Sequence, residues 1–142
     1  MLEYNVFKKY YWVYIRRFEL KTIEFSNERQ RVEYYEYTKV RLLFINDRKF
    51  LLWRNTNEDA TDKYHIIDFQ TRILISTGST IKKAIESLDR AYNKLITLYA
   101  SPSYKGYCNV TYNEISKRKI LGGMEDDFAK DIDSFDEYME VK

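Results

Sequence analysis

The chain has 142 residues, with one proline, four glycines, one cysteine and one histidine, and 44% of it is hydrophobic. That length makes one domain burying about 70% of the unfolded chain's surface, and it is too short for a two-domain nucleotide-dependent enzyme. A single cysteine excludes an internal disulfide and a multi-thiolate metal site, and a single histidine excludes a histidine-cluster site. The net charge of +2 hides an uneven distribution: residues 1–123 hold 22 Lys and Arg against 14 Asp and Glu, whereas residues 124–142 hold two lysines and eight acids. A basic domain (1–123) joined to an acidic segment (124–142) is therefore expected, an asymmetry that marks partner binding.

The longest uncharged run is ten residues, Leu95 to Tyr104, too short to cross a bilayer. The first residues include Glu3, Lys8 and Lys9 and lack an apolar signal core. The expectation is a cytoplasmic protein with no membrane partner.

In chain order, residues 10–25 read as a long strand. Its apolar set changes parity between Phe18/Leu20 and Ile23/Phe25, which calls for a bulge or a bend near Lys21 and Thr22. Residues 31–45 form a second strand, with Val32, Tyr34, Val40, Leu42 and Phe44 on one parity. Asn46, Asp47 and Arg48 supply a turn into a third strand, 50–54. Two short apolar runs, 64–69 and 73–75, flank a turn over 68–72. The amino-terminal half is thus an antiparallel meander. The 14 Tyr, 8 Phe and 2 Trp suit strands and cross-strand pairs.

Gly78 breaks the pattern, and Ser79 or Thr80 caps a helix. Its apolar stripe runs through Ile81, Ala84, Ile85, Leu88, Ala91, Tyr92, Leu95, Ile96 and Tyr99 to a stop at Pro102. A shorter helix is expected from a capping box at Thr111–Glu114, with Lys117, Arg118 and Lys119 in its last turn and Gly122 as its left-handed cap. The acidic segment carries Met124, Phe128, Ile132, Phe135 and Met139 at helical spacing. It therefore has an apolar face to lay on its own body or on a partner. The fold class is α+β: a meander sheet of four to five strands on one long helix, with two short carboxy-terminal helices.

Catalytic constellations are weak. Ser76 to Thr80 precedes a helix but lacks the second glycine and Gly-Lys pair of a P-loop. Nothing in the spacing joins Cys108 to His65 as nucleophile and base. Glu125, Asp126 and Asp127 lack the spaced ligands and bend glycine of a calcium loop. No metal, no cofactor and no enzyme activity are expected.

Two binding functions remain. In the first, Glu125, Asp126, Asp127, Asp131, Asp133, Asp136, Glu137 and Glu140, with Phe135 and Tyr138, imitate a nucleic-acid backbone. They would fill a basic groove on a nucleic-acid-handling protein. Small phage or plasmid proteins that block host defence nucleases, anti-CRISPR proteins among them, work in this manner. The abundance of Ile, Lys, Asn and Tyr fits an AT-rich genome, as in many low-GC bacteria and their phages. In the second, the body binds nucleic acid. Lys8, Lys9, Arg16, Arg17, Lys39, Arg41, Arg48, Lys49 and Arg54 would contact phosphates, and Tyr11, Trp12, Tyr35 or Trp53 would stack, with the acidic segment as an intramolecular competitor.

Overall fold

The computed structural model describes residues 2–141. Five strands, β1 (Tyr4–Thr22), β2 (Arg29–Ile45), β3 (Arg48–Arg54), β4 (Tyr64–Asp68) and β5 (Leu74–Gly78), form one antiparallel sheet in the order of the chain. Helices α1 (Ile81–Arg90), α2 (Tyr92–Tyr99), α3 (Pro102–Ile120) and α4 (Phe135–Glu140) follow. The α+β meander expected from the pattern is what forms. No described helix is long and apolar enough to cross a membrane.

The turn between β2 and β3 is the two-residue kind. Asn46 and Asp47 both take positive φ, 47° and 64°, as the twist of a tight hairpin requires. Both faces of the sheet's central part are covered, so β3 and β4 read as continuous apolar runs rather than alternating ones. One face sets Leu43, Ile45, Phe50, Leu52 and Ile66 against Ala84, Ile85, Leu88 and Leu95 of α1 and α2. The other sets Val13, Ile15, Val40, Leu42, Leu51, Ile67 and Phe69 together, with Phe128 and Val141 packed on them. Gly78 does more than end a strand. A Cβ there would lie 2.4 Å from the Ala84 nitrogen, so only glycine lets β5 approach the first turn of α1 so closely.

The helical expectations need three corrections. The stripe over 81–99 is carried by two helices, because Ala91 leaves the helical region (φ −110°, ψ 9°) and separates α1 from α2. Pro102 starts α3 as well as following α2, since its fixed φ suits a first helical position. The Thr111 capping box is therefore interior to α3. Thr111 is buried, and its hydroxyl donates toward the Tyr107 and Thr71 carbonyls instead of capping. Finally, residues 124–134 are turns rather than helix, and only α4 is helical. Their backbone is committed elsewhere: the Asp127 amide donates to the Trp12 carbonyl at 2.8 Å.

The expected bulge also moves. The β1–β2 register runs unbroken from Tyr10 to Thr22, and its irregularity lies between Val6 and Tyr10. There β1 advances four residues while β2 advances two, from Leu43 to Arg41. Beyond Arg17 the two strands leave the body as a ribbon. Phe18, Leu20, Ile23 and Phe25 are all exposed, so the parity change needs no bulge because neither face is buried.

The sheet curls until its first strand meets the β4–β5 turn, where the Arg16 amide donates to the Arg72 carbonyl at 3.0 Å. A buried ion pair between Arg72 and Asp126 seals this junction, with both side chains fully inaccessible. Asp126 also accepts from the Tyr14 amide (2.8 Å) and the Phe128 amide (3.0 Å). Arg72 donates to the Phe69 and Tyr14 carbonyls. Burial alone would lower the Arg72 pKa, but Asp126 more than reverses this and the guanidinium is held charged. The acidic segment thus supplies a carboxylate to the interior, and Tyr138 of α4 is buried beside it, donating to the Gln70 carbonyl.

Candidate functional site

Strand pairing builds a ladder of alternating rings and cations on one face of β1–β2. Directly opposite residues of an antiparallel pair share a face. Tyr10 faces Arg41, Trp12 faces Lys39, Tyr14 faces Tyr37 and Arg16 faces Tyr35. Lys39 Nζ lies 4.8 Å from the Tyr10 ring centre, and the Arg41 guanidinium lies 5.9 Å from it. Trp12 and Tyr37 stack, 5.4 Å apart at 16°. Arg41 is held by a bond from its Nε to the Phe7 carbonyl (2.8 Å).

The ladder has a covered half and an open half. Ile115 and Ala129 pack on Tyr14, with Tyr35 and Tyr37 beside it, and the Arg118 guanidinium lies 4.8 Å from the Tyr35 ring centre. In the open half Tyr10 is 54% and Trp12 47% exposed. Neither Lys39 nor Arg41 has an ion-pair partner among the described residues. Lys8 and Lys9 stand in the irregular stretch beside them, Lys9 over the Tyr11 ring at 4.9 Å.

The acidic segment borders this open half. Asp127 accepts from the Trp12 amide (2.7 Å), and the Glu125 carbonyl accepts from the Tyr37 hydroxyl. Burial, followed by Asp127, raises the Tyr37 pKa. The tyrosine therefore stays a neutral donor.

Other members of the basic set are placed elsewhere. Arg16 is buried 3.7 Å from Glu33. Arg17 lies over the Trp53 ring at 4.3 Å, with Glu36 at 3.6 Å and His65 Nδ1 at 3.3 Å. Both arginines are internal, and neither is free to meet a phosphate. Arg48 and Lys49 border a cleft at the far end of the sheet, and Arg54 is exposed at the end of β3. Of the four rings expected to stack, Trp12 alone is exposed. Tyr11 packs on Phe128, Trp53 on His65, and Tyr35 lies under Arg118. Tyr10 is a fifth ring, outside that expected set. Its alternation with Trp12 on the side opposite Tyr11 and Val13 is the signal that could have found it.

The acidic set divides similarly. Asp126 and Tyr138 are buried, so they are interior residues rather than contact residues. Phe135 and Asp127 are half-buried. Glu125, Asp131, Asp133, Asp136, Glu137 and Glu140 are exposed.

The candidate catalytic groups are separated. Cys108 is buried beside Tyr104, and burial pushes its thiol up to about 11. His65 sits against Trp53 and Arg17, and burial, then Arg17, lowers its pKa. Ser76 donates to the Ala84 carbonyl, and Thr80 caps α1 by accepting from the Lys83 amide, so the 76–80 segment is occupied by its own helix start. Among the described residues no group of three or more His, Cys, Asp or Glu side chains is placed to hold a metal. Comparison of the chain with protein-family models, curated proteins and solved structures finds no match.

Proposed function

We propose that the protein is a non-catalytic binding module that takes single-stranded nucleic acid on the open half of the β1–β2 ladder. The observation that carries this reading is Tyr10 and Trp12, half-exposed rings on the same sheet face as the unpaired Lys39 and Arg41. Exposed rings stack on bases regardless of sequence, and flanking cations track the phosphates. Asp127 and Glu125 at the border would repel a strand that overran the patch, limiting the site to a few nucleotides.

Fluorescence anisotropy with a labelled oligonucleotide tests it. Trp12→Ala is expected to cost about 1–3 kcal/mol of binding, as for one stacked base. Lys39→Ala with Arg41→Ala should flatten the salt dependence by about 0.7 for each phosphate that is no longer neutralised. Binding that ignores all three substitutions would refute the reading.

A second reading has its own support. Asp131, Asp133, Asp136, Glu137 and Glu140 are exposed on a segment fixed from beneath by buried Asp126 and Tyr138. Such a prefolded acidic ridge suits an inhibitor that enters a basic groove of a phage-targeted host protein. Charge reversal of Asp133, Asp136 and Glu137 should then abolish protein capture and leave oligonucleotide binding unchanged or tighter.

A further inference from the structure

A cleft of about 750 Å³ opens at the end of the sheet, between the β2–β3 turn, the β4–β5 turn and the joint of α2 and α3. That volume suits a small molecule. Arg48, Lys49 and Lys105 line it, and none has an ion-pair partner among the described residues. The cleft's carboxylates are Asp47 and Asp68. Asp68 is already committed: it accepts from the Tyr99 hydroxyl (2.7 Å), the Tyr104 hydroxyl (2.8 Å), and the Thr71 amide and hydroxyl. Neither carboxylate forms an ion pair with the three cations among the described residues.

Two further features point to an anion. Burial lowers the Lys49 pKa with no carboxylate to offset it, a deficit that a bound anion would correct. The first turn of α3, which opens on this cleft, carries no acidic residue, and the Ser101 hydroxyl donates to the Leu98 carbonyl instead of capping. No side chain offsets its dipole; because Pro102 has no N–H and the Tyr104 amide donates to the Ser101 carbonyl, this end contributes its field rather than hydrogen bonds.

The remaining surface is not that of a bare phosphate site. Phe44 and Tyr99, both half-buried, line the cleft with their rings, with Arg48 lying 4.1 Å from the Tyr99 ring centre.

From these we propose that the cleft binds a small organic anion that joins a phosphate to a planar ring, of the nucleoside monophosphate class. Lys49 and Lys105 would meet the phosphate, within the field of the α3 start, and the ring would lie against Phe44 and Tyr99.

Isothermal titration of the full chain with adenosine monophosphate, adenosine and inorganic phosphate tests this. The monophosphate should bind at least about tenfold more tightly than either fragment, since each fragment satisfies only some of these groups. Lys49→Met with Lys105→Met should weaken it by at least about tenfold without moving the melting midpoint. Lys105→Glu, at an exposed position, should weaken it alone. Lys39→Ala, on the ladder, should leave it unchanged. No saturable heat with the monophosphate, equal affinity for inorganic phosphate, or indifference to the lysine substitutions would each overturn the proposal.

Discussion

The same two strands have opposite fates along their length. From Val13 to Arg16, β1 is buried on both faces; from Phe18 to Thr22 it is exposed on both. The local sequences do not explain the contrast, since Phe18, Leu20, Ile23 and Phe25 are as apolar as Val13 and Ile15. What differs is the cover. Residues from the last part of the chain, Asp126, Asp127, Phe128 and Ala129, close over the inner stretch and satisfy its edge amides. Among the described residues nothing comparable reaches the ribbon. A strand's burial is therefore decided here by a segment more than a hundred residues away, and by one ion pair in particular.

The largest expected effect comes from breaking that pair. Asp126→Ala leaves the Arg72 guanidinium buried and charged without its carboxylate, which typically costs about 3–5 kcal/mol. It also removes the acceptor of the Tyr14 and Phe128 amides. Urea denaturation should show the loss directly. Substituting Asp131, an exposed acid of the same segment, should change stability by less than about 0.5 kcal/mol. Equal effects from the two would mean that the segment is not held by Asp126.

This dependence also explains what the sequence does and does not disclose. The meander, the Asn46–Asp47 turn and the Thr80 cap are legible because each rests on local chemistry: alternation, residues tolerant of positive φ, or a side chain reaching its own helix start. The ring-and-cation ladder is half legible, because basic and aromatic residues are visibly interleaved in 8–17 and 34–41, but sorting them to faces needs the strand register. The role of Asp126 is not legible. One carboxylate among eight is chosen to be buried by its distance from Arg72, 54 positions away, and composition weighs all eight alike. Thr111 misleads for the converse reason. Its capping-box neighbours are genuine, but Pro102 had already opened the helix nine residues earlier.

A middle-sized effect is expected at the boundary between the two fates, where Arg17 lies against His65. Burial, then Arg17, holds the His65 pKa below 6.5 in the folded protein. Between that lowered value and the unfolded value the unfolded chain binds more protons, so stability rises with pH. The contribution is complete above about pH 6.5 and is lost progressively as pH falls below it. Urea midpoints measured from pH 7.5 down to 5.5 should fall for the native chain and fall less for His65→Gln. Identical slopes would show that the ribbon's root is open to solvent, and the boundary would move inward.

The smallest effect is expected at the ribbon tip. Phe25 is fully exposed and holds φ at 63°, a left-handed conformation unfavourable for a bulky side chain. Phe25→Gly relieves that backbone strain but adds freedom to the unfolded chain, and the two terms are each about 1 kcal/mol and opposed. The urea midpoint should therefore stay put or rise slightly, and Leu20→Ser should leave it unchanged. A loss beyond about 2 kcal/mol from either, especially one that grows with protein concentration, would mean that the tip is packed in solution. The cover missing from the ribbon would then be supplied by a second copy, and its exposure would belong to the isolated chain only.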